Sequence, residues 1–140
     1  LPLPAKPRFT EAEFLLPDDP SELTSAQLGQ WMLRLASLRA YAVRLLGVAE
    51  SELVLVEQEY RLRVNHAGLK IREELPGRPA ADVVESAVLA QDGDMGPLYK
   101  RRLELIAVKA QLEPRVKIFE IAWMALSREQ ARRELEVRLT

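Results

Sequence analysis

The side chains able to do chemistry are few, and their spacing excludes most of it. His66 is the single histidine and there is no cysteine, so a histidine pair, a thiolate nucleophile and a Cys-based zinc site are all out of reach. Ser127, in Leu126-Ser127-Arg128-Glu129, lacks the flanking glycines of a nucleophile elbow. No glycine-rich phosphate loop occurs anywhere. Asp92-Gly93-Asp94 opens like a calcium loop, but the twelfth position from Asp92 is Leu103 where that loop needs a glutamate. An Asp-Gly turn is the better reading. These residue types argue against an enzyme and against any cofactor or metal.

What remains is positive charge. Arg61, Arg63, Lys70 and Arg72 accompany Tyr60, Asn65 and His66, the mixture of cations and a stacking surface that a single strand of nucleic acid requires. Lys100, Arg101 and Arg102 fall at the start of a helix, where positive charge opposes the macrodipole. That placement calls for an outside anion or for carboxylates from the acidic stretch 73–97. Arg128, Arg132 and Arg133 form a third set; the first two share a helix face, though Glu129, Glu134 and Glu136 interleave with them. For every set the alternative is a helix face solvated by water.

The net charge of −1 hides a segregation. Segment 1–23 is net −3, 24–72 is +3, 73–97 is −5 and 98–140 is +4. Two long basic segments are therefore joined by acidic ones, an arrangement suited to polyanions or to partner carboxylates.

The elements that must position these charges are helices. Leu, Ala, Glu, Arg and Val dominate and glycine is scarce, with six in the chain. Residues 1–23 carry Pro2, Pro4, Pro7, Pro17 and Pro20, which disfavour helix interiors and central strands. They read as an extended arm, with Phe9, Phe14, Leu15 and Leu16 as apolar contacts for this chain or a neighbour. A long helix is expected over 24–72, capped at Thr24 or Ser25. Leu28, Met32, Leu35, Ala42, Leu46, Ala49, Leu53, Val56, Tyr60 and Ala67 follow a four-three spacing, with Trp31, Leu38 and Leu45 beside its first half. Gly68 marks a candidate kink or stop. Unbroken, such a helix would reach ~70 Å and could not be covered by one compact partner.

Leu75-Pro76-Gly77-Arg78-Pro79 is turn chemistry, and Pro79 suits the first position of a short helix over 80–90. A closing helix over 97–140 carries Leu98, Leu105, Leu112, Val116, Phe119, Trp123 and Leu126 on one seam, with a bend or break expected at Pro114. Phe119 and Trp123 should meet Trp31 and Leu35 of the first helix if the two run antiparallel. The expected fold is all-α: a long antiparallel helical hairpin over 24–140, with a short connecting helix and an extended Pro-rich N-terminal arm.

This layout resembles the UvsY-like recombination mediators of bacteriophages. The resemblance rests on a long first helix, a short helix ending in an Asp-containing turn, and a last helix that opens on basic residues and closes on Leu-Ser-Arg-Glu followed by arginines. It runs from Leu46 to Arg133 through Val84, Asp92, Leu98, Arg101, Arg102 and the segment 127–133; the arm and Pro114 depart from it. The resemblance implies a non-enzymatic, ring-forming protein that binds single-stranded DNA and helps load a recombinase. On the charge layout described above, the strand contacts would be Arg61, Arg63, Lys70, Arg72, Lys100, Arg101, Arg102, Arg128, Arg132 and Arg133.

The competing expectation is a helical structural or adaptor protein, a phage particle component or an inhibitor of a host complex, that binds protein through its arm and helix seams. Either way a homo-oligomer is expected, since each long helix would keep a seam uncovered. No apolar run is long enough to span a bilayer, and an intracellular protein in the cytoplasm of a host cell is expected.

Overall fold

The computed structural model describes residues 19–140. Phe9, Phe14, Leu15 and Leu16 lie outside the described residues. The described chain is all-α: a 3-10 turn at Pro20–Glu22, then α1 (Ser25–Glu74), α2 (Ala81–Gln91) and α3 (Met95–Leu139). By packing it divides into two units. One comprises the described residues up to Gly47 with Gln111–Thr140, the other Val48–Ala110, so α1 and α3 each contribute to both.

In the first unit α1 begins at a reciprocal cap. Thr24 Oγ1 accepts from the Gln27 N–H at 3.2 Å, and Gln27 Oε1 accepts from the Thr24 N–H at 2.9 Å. Two otherwise orphaned donors are thereby satisfied. Asp19 does the same for the 3-10 turn by accepting from the Ser21 N–H, so the described part of the expected extended arm is a tight turn. Leu28, Leu35 and Leu126 are buried together, with Leu23, Trp31, Met32, Phe119 and Ala122 packed around them. This is the anticipated antiparallel contact of α1 with α3, with one correction. Trp123 stands apart from that core and is half-exposed; it lies one position beyond Ala122, about 100° around the helix from it, and lines an open groove with Ala36, Arg39, Glu120 and Met124.

In the second unit α1, α2 and α3 share a core of Tyr60, Ile71, Val84, Val88 and Met95. A smaller cluster joins Ala49 and Leu53 of α1 to Leu105 of α3. Gly68 does not stop α1, which runs on to Glu74. Its role is steric: a Cβ there would lie 3.1 Å from Val84 Cγ1, so the missing side chain lets α2 approach. The turn after α1 does use glycine for its backbone, since Gly77 has φ +79°. Helix α2 starts one residue later than expected, with Ala80 at its cap and Pro79 outside it.

Helix α3 begins two residues early, which places Pro97 in its first turn, where no intrahelical donor is lost. It continues without a break through Pro114. The proline still leaves the Ala110 carbonyl without its usual helical donor, and the two units divide at that residue. Among the described residues no helix is long and apolar enough to cross a membrane.

Candidate nucleic-acid interface

The ten expected strand contacts separate into two groups of five. Arg63 pairs with Glu59 one turn back and with Asp94 across to the start of α3. Arg101 hydrogen-bonds Glu52 and lies 3.5 Å from Glu104. Arg102 lies 3.7 Å from Glu57 and sits over the Tyr60 ring, 5.4 Å from its centroid. Arg132 and Arg133 both grip Glu129. Cations already matched by carboxylates contribute little to a phosphate surface, because a strand would first have to displace those partners.

Arg61, Lys70, Arg72, Lys100 and Arg128 are exposed and form no ion pair among the described residues. Four of them belong to the second unit. That unit is net −2, with nine basic against eleven acidic residues, so its free cations stand among surplus carboxylates. His66 is also exposed.

The aromatic part of the first set is not available to a base. Tyr60 is buried, its hydroxyl donates to Glu85 of α2, and its ring lies 6.0 Å from that of Tyr99. Burial, reinforced by the Glu85 carboxylate, pushes its phenol well above the ordinary value. An open cleft of about 250 Å³ beside it is lined by Glu57, Arg61, Asn65, Glu85 and Arg102, among others. Its two guanidinium groups face two carboxylates, so it offers no net charge to an anion. The Asp92–Asp94 segment is occupied as well: Asp92 Oδ1 accepts from the Asp94 N–H and Asp94 faces Arg63.

The densest polar arrangement is one the sequence did not announce. Glu129 is only 9% exposed. Its carboxylate accepts from Arg132 Nε at 3.0 Å and Nη2 at 2.8 Å, and from Arg133 Nε at 2.9 Å. Arg132 also reaches Glu136 at 2.6 Å. The remaining donors of Arg133 turn to main chain: Nη2 donates to the carbonyls of Pro20, Ser21 and Leu23, and Nη1 to Ser25 Oγ. Arg133 thus ties the last turns of α3 to the segment that leads into α1, and is unavailable as a strand contact.

The hydrogen bonds from Arg132, then those from Arg133, hold the Glu129 carboxyl down from its ordinary 4.5 to about 2. A carboxylate with a depressed folded-state pKa stabilises the fold above the unfolded value and loses that contribution as pH falls through the folded one. The melting temperature should therefore decline between pH 4.5 and 2. Glu129→Gln should melt lower at neutral pH and show a flatter decline over that window. Equal slopes for the two proteins in a thermal melt series would show that Glu129 has no such part.

Fold and site together define a class, an all-α helical hairpin in which five of the ten candidate strand cations are matched by carboxylates of the same chain. No family model, curated protein or solved structure matches the chain.

Proposed function

We propose that this chain is a non-enzymatic assembly protein that works by docking helix faces onto other protein. One observation carries the reading: large apolar side chains stand uncovered in rows on helices whose opposite faces already form the core. In the second unit these include Leu55, Leu62 and Leu69 of α1; in the first, Ile118, Ile121, Trp123 and Met124 of α3. Exposed rows of this extent mark interaction surfaces, and Trp and Met are enriched in them. Assembly of this kind serves a particle component, an inhibitor of a host complex and a recombination mediator alike.

A second reading is favoured by the five unpaired cations: the assembled protein binds single-stranded DNA as a phage recombination mediator, through Arg61, Lys70, Arg72, Lys100 and Arg128. One experiment separates the two. Molar mass by light scattering should exceed that of the monomer without DNA if protein docking is the primary activity. If strand binding is primary, mass should rise only with added oligonucleotide. In that case the logarithm of affinity should fall with the logarithm of salt by about 0.7 per phosphate neutralised, and Arg61→Glu, Lys70→Glu and Arg72→Glu combined should weaken binding severalfold. A monomer that ignores DNA at low salt would overturn both.

A further inference from the structure

We propose that the α1 face bearing Leu55, Leu62 and Leu69 is where two copies of this chain pair, antiparallel, about a two-fold axis at Leu62. The inference rests on the reading of the chain as an assembly protein and names the partner of one of its faces.

The three leucines are 72, 67 and 62% exposed and stand seven residues apart. At 3.6 residues per turn, a seven-residue step returns to the same face with a drift of about 20°. They form a straight row on one helix, within one unit. The internal contacts of α1 in this unit are made by Ala49, Leu53, Tyr60 and Ile71. Leu62 is two positions beyond Tyr60, about 200° around the axis, so the row faces away from the core. Nothing else among the described residues covers it.

The row is one side chain wide. Gln58 and Asn65 border it on one side and Glu59 and His66 on the other. Such a strip is too narrow and too polar at its edges for a lipid surface, and it encloses no volume for a small ligand. A seven-residue apolar repeat with polar borders is what a second helix packs against.

The borders also choose the partner and its direction. Glu52 and Glu59 lie towards the N-terminal end of the row, Lys70 and Arg72 towards its C-terminal end. Lys70 and Arg72 have no ion-pair partner among the described residues. Two parallel copies would place like charges side by side. Two antiparallel copies bring Lys70 of each to the border that carries Glu52 and Glu59 of the other, where it adds to the pairs these carboxylates make with Arg101 and Arg63; Arg72 lies on the opposite border, and the acidic Glu73 falls opposite the neutral Ser51. Leu55 and Leu69 are equidistant from Leu62, so the row is self-complementary under a two-fold: Leu55 packs on Leu69 and Leu62 on its own copy, an isologous contact.

The chain contains no cysteine, which makes the test clean. In sedimentation equilibrium the wild-type chain should dimerise with rising concentration, while Leu62→Glu should stay monomeric with unchanged far-UV circular dichroism. Under mild oxidation Leu62→Cys should cross-link to itself. Leu55→Cys and Leu69→Cys should cross-link well only when mixed. The proposal is overturned by a wild-type chain that is monomeric throughout, an outcome that removes the assembly reading with it. It is equally overturned by Leu55→Cys cross-linking to itself as readily as to Leu69→Cys. If mass above the monomer persists in folded Leu62→Glu, this interface is wrong while the assembly reading stands.

Discussion

Leu126→Ala should lower stability by about 2–5 kcal/mol, the range for removing a buried leucine whose neighbours only partly collapse. Leu126 is 1% exposed and closes the core of the first unit against Leu28 and Leu35. The surrounding shell of Trp31, Phe119 and Ala122 sits on two helices of regular geometry, so little backbone movement is available to refill the space. The loss should appear as a lower urea midpoint by circular dichroism with an unchanged slope. Leu135→Ala offers the control: that leucine is mostly exposed, and its truncation should change stability by no more than about 0.5 kcal/mol. Similar effects of the two substitutions would contradict the packing described above.

Gly68→Leu should destabilise the second unit by about 1–3 kcal/mol through overpacking. A Cβ alone would meet Val84 Cγ1 at 3.1 Å, and the remaining atoms of leucine would have to enter space held by α2. The direction opposes helix propensity, which favours leucine over glycine by somewhat under 1 kcal/mol. A net loss therefore isolates the contact. Gly68→Ala is the informative companion. There the propensity gain and a shift of Val84 by a few tenths of an ångström nearly offset, so its urea midpoint should stay close to the wild type. A stabilised Gly68→Leu would mean that α2 does not depend on this approach.

The core was legible because burial follows the helical period. Leu28, Leu35, Ala42, Ala49, Leu53 and Tyr60 all fall on the four-three spacing and all are buried. The hairpin followed from the turn residues between the helices. Charge pairing was not legible, because it depends on register. Glu52, Glu57 and Asp94 become partners of Arg101, Arg102 and Arg63 only once α1 and α3 are aligned antiparallel, and a linear count treats each cation as free. The same holds for Tyr60, whose position among Arg61 and Arg63 suggested a stacking ring. Its place on the buried seam and the Glu85 carboxylate of α2 decide otherwise. The row at Leu55, Leu62 and Leu69 was hidden for a different reason. A helix that already shows one apolar seam satisfies the periodicity test, and a second seam on the opposite side then looks like scatter.

At Gly68 and Pro114 the local cost did not end a helix. Gly68 and Pro114 weaken a helix intrinsically, yet α1 and α3 pass through both. Tertiary packing along a long helix outweighs a local cost of about 1–3 kcal/mol.

The Arg133 anchor has a consequence for how the chain can vary. Its guanidinium recognises Pro20, Ser21 and Leu23 through their carbonyl oxygens alone, and every residue has a carbonyl. The tether itself reads no side chain there, although Leu23 is held separately by its packing on the core of the first unit. Substitutions at Pro20 and Ser21 can therefore accumulate without loosening this tie, whereas one change at Arg133 or Glu129 releases it. Sequence freedom and attachment are thus separated at Pro20 and Ser21, where the bond is to main chain and the side chain is left out of it.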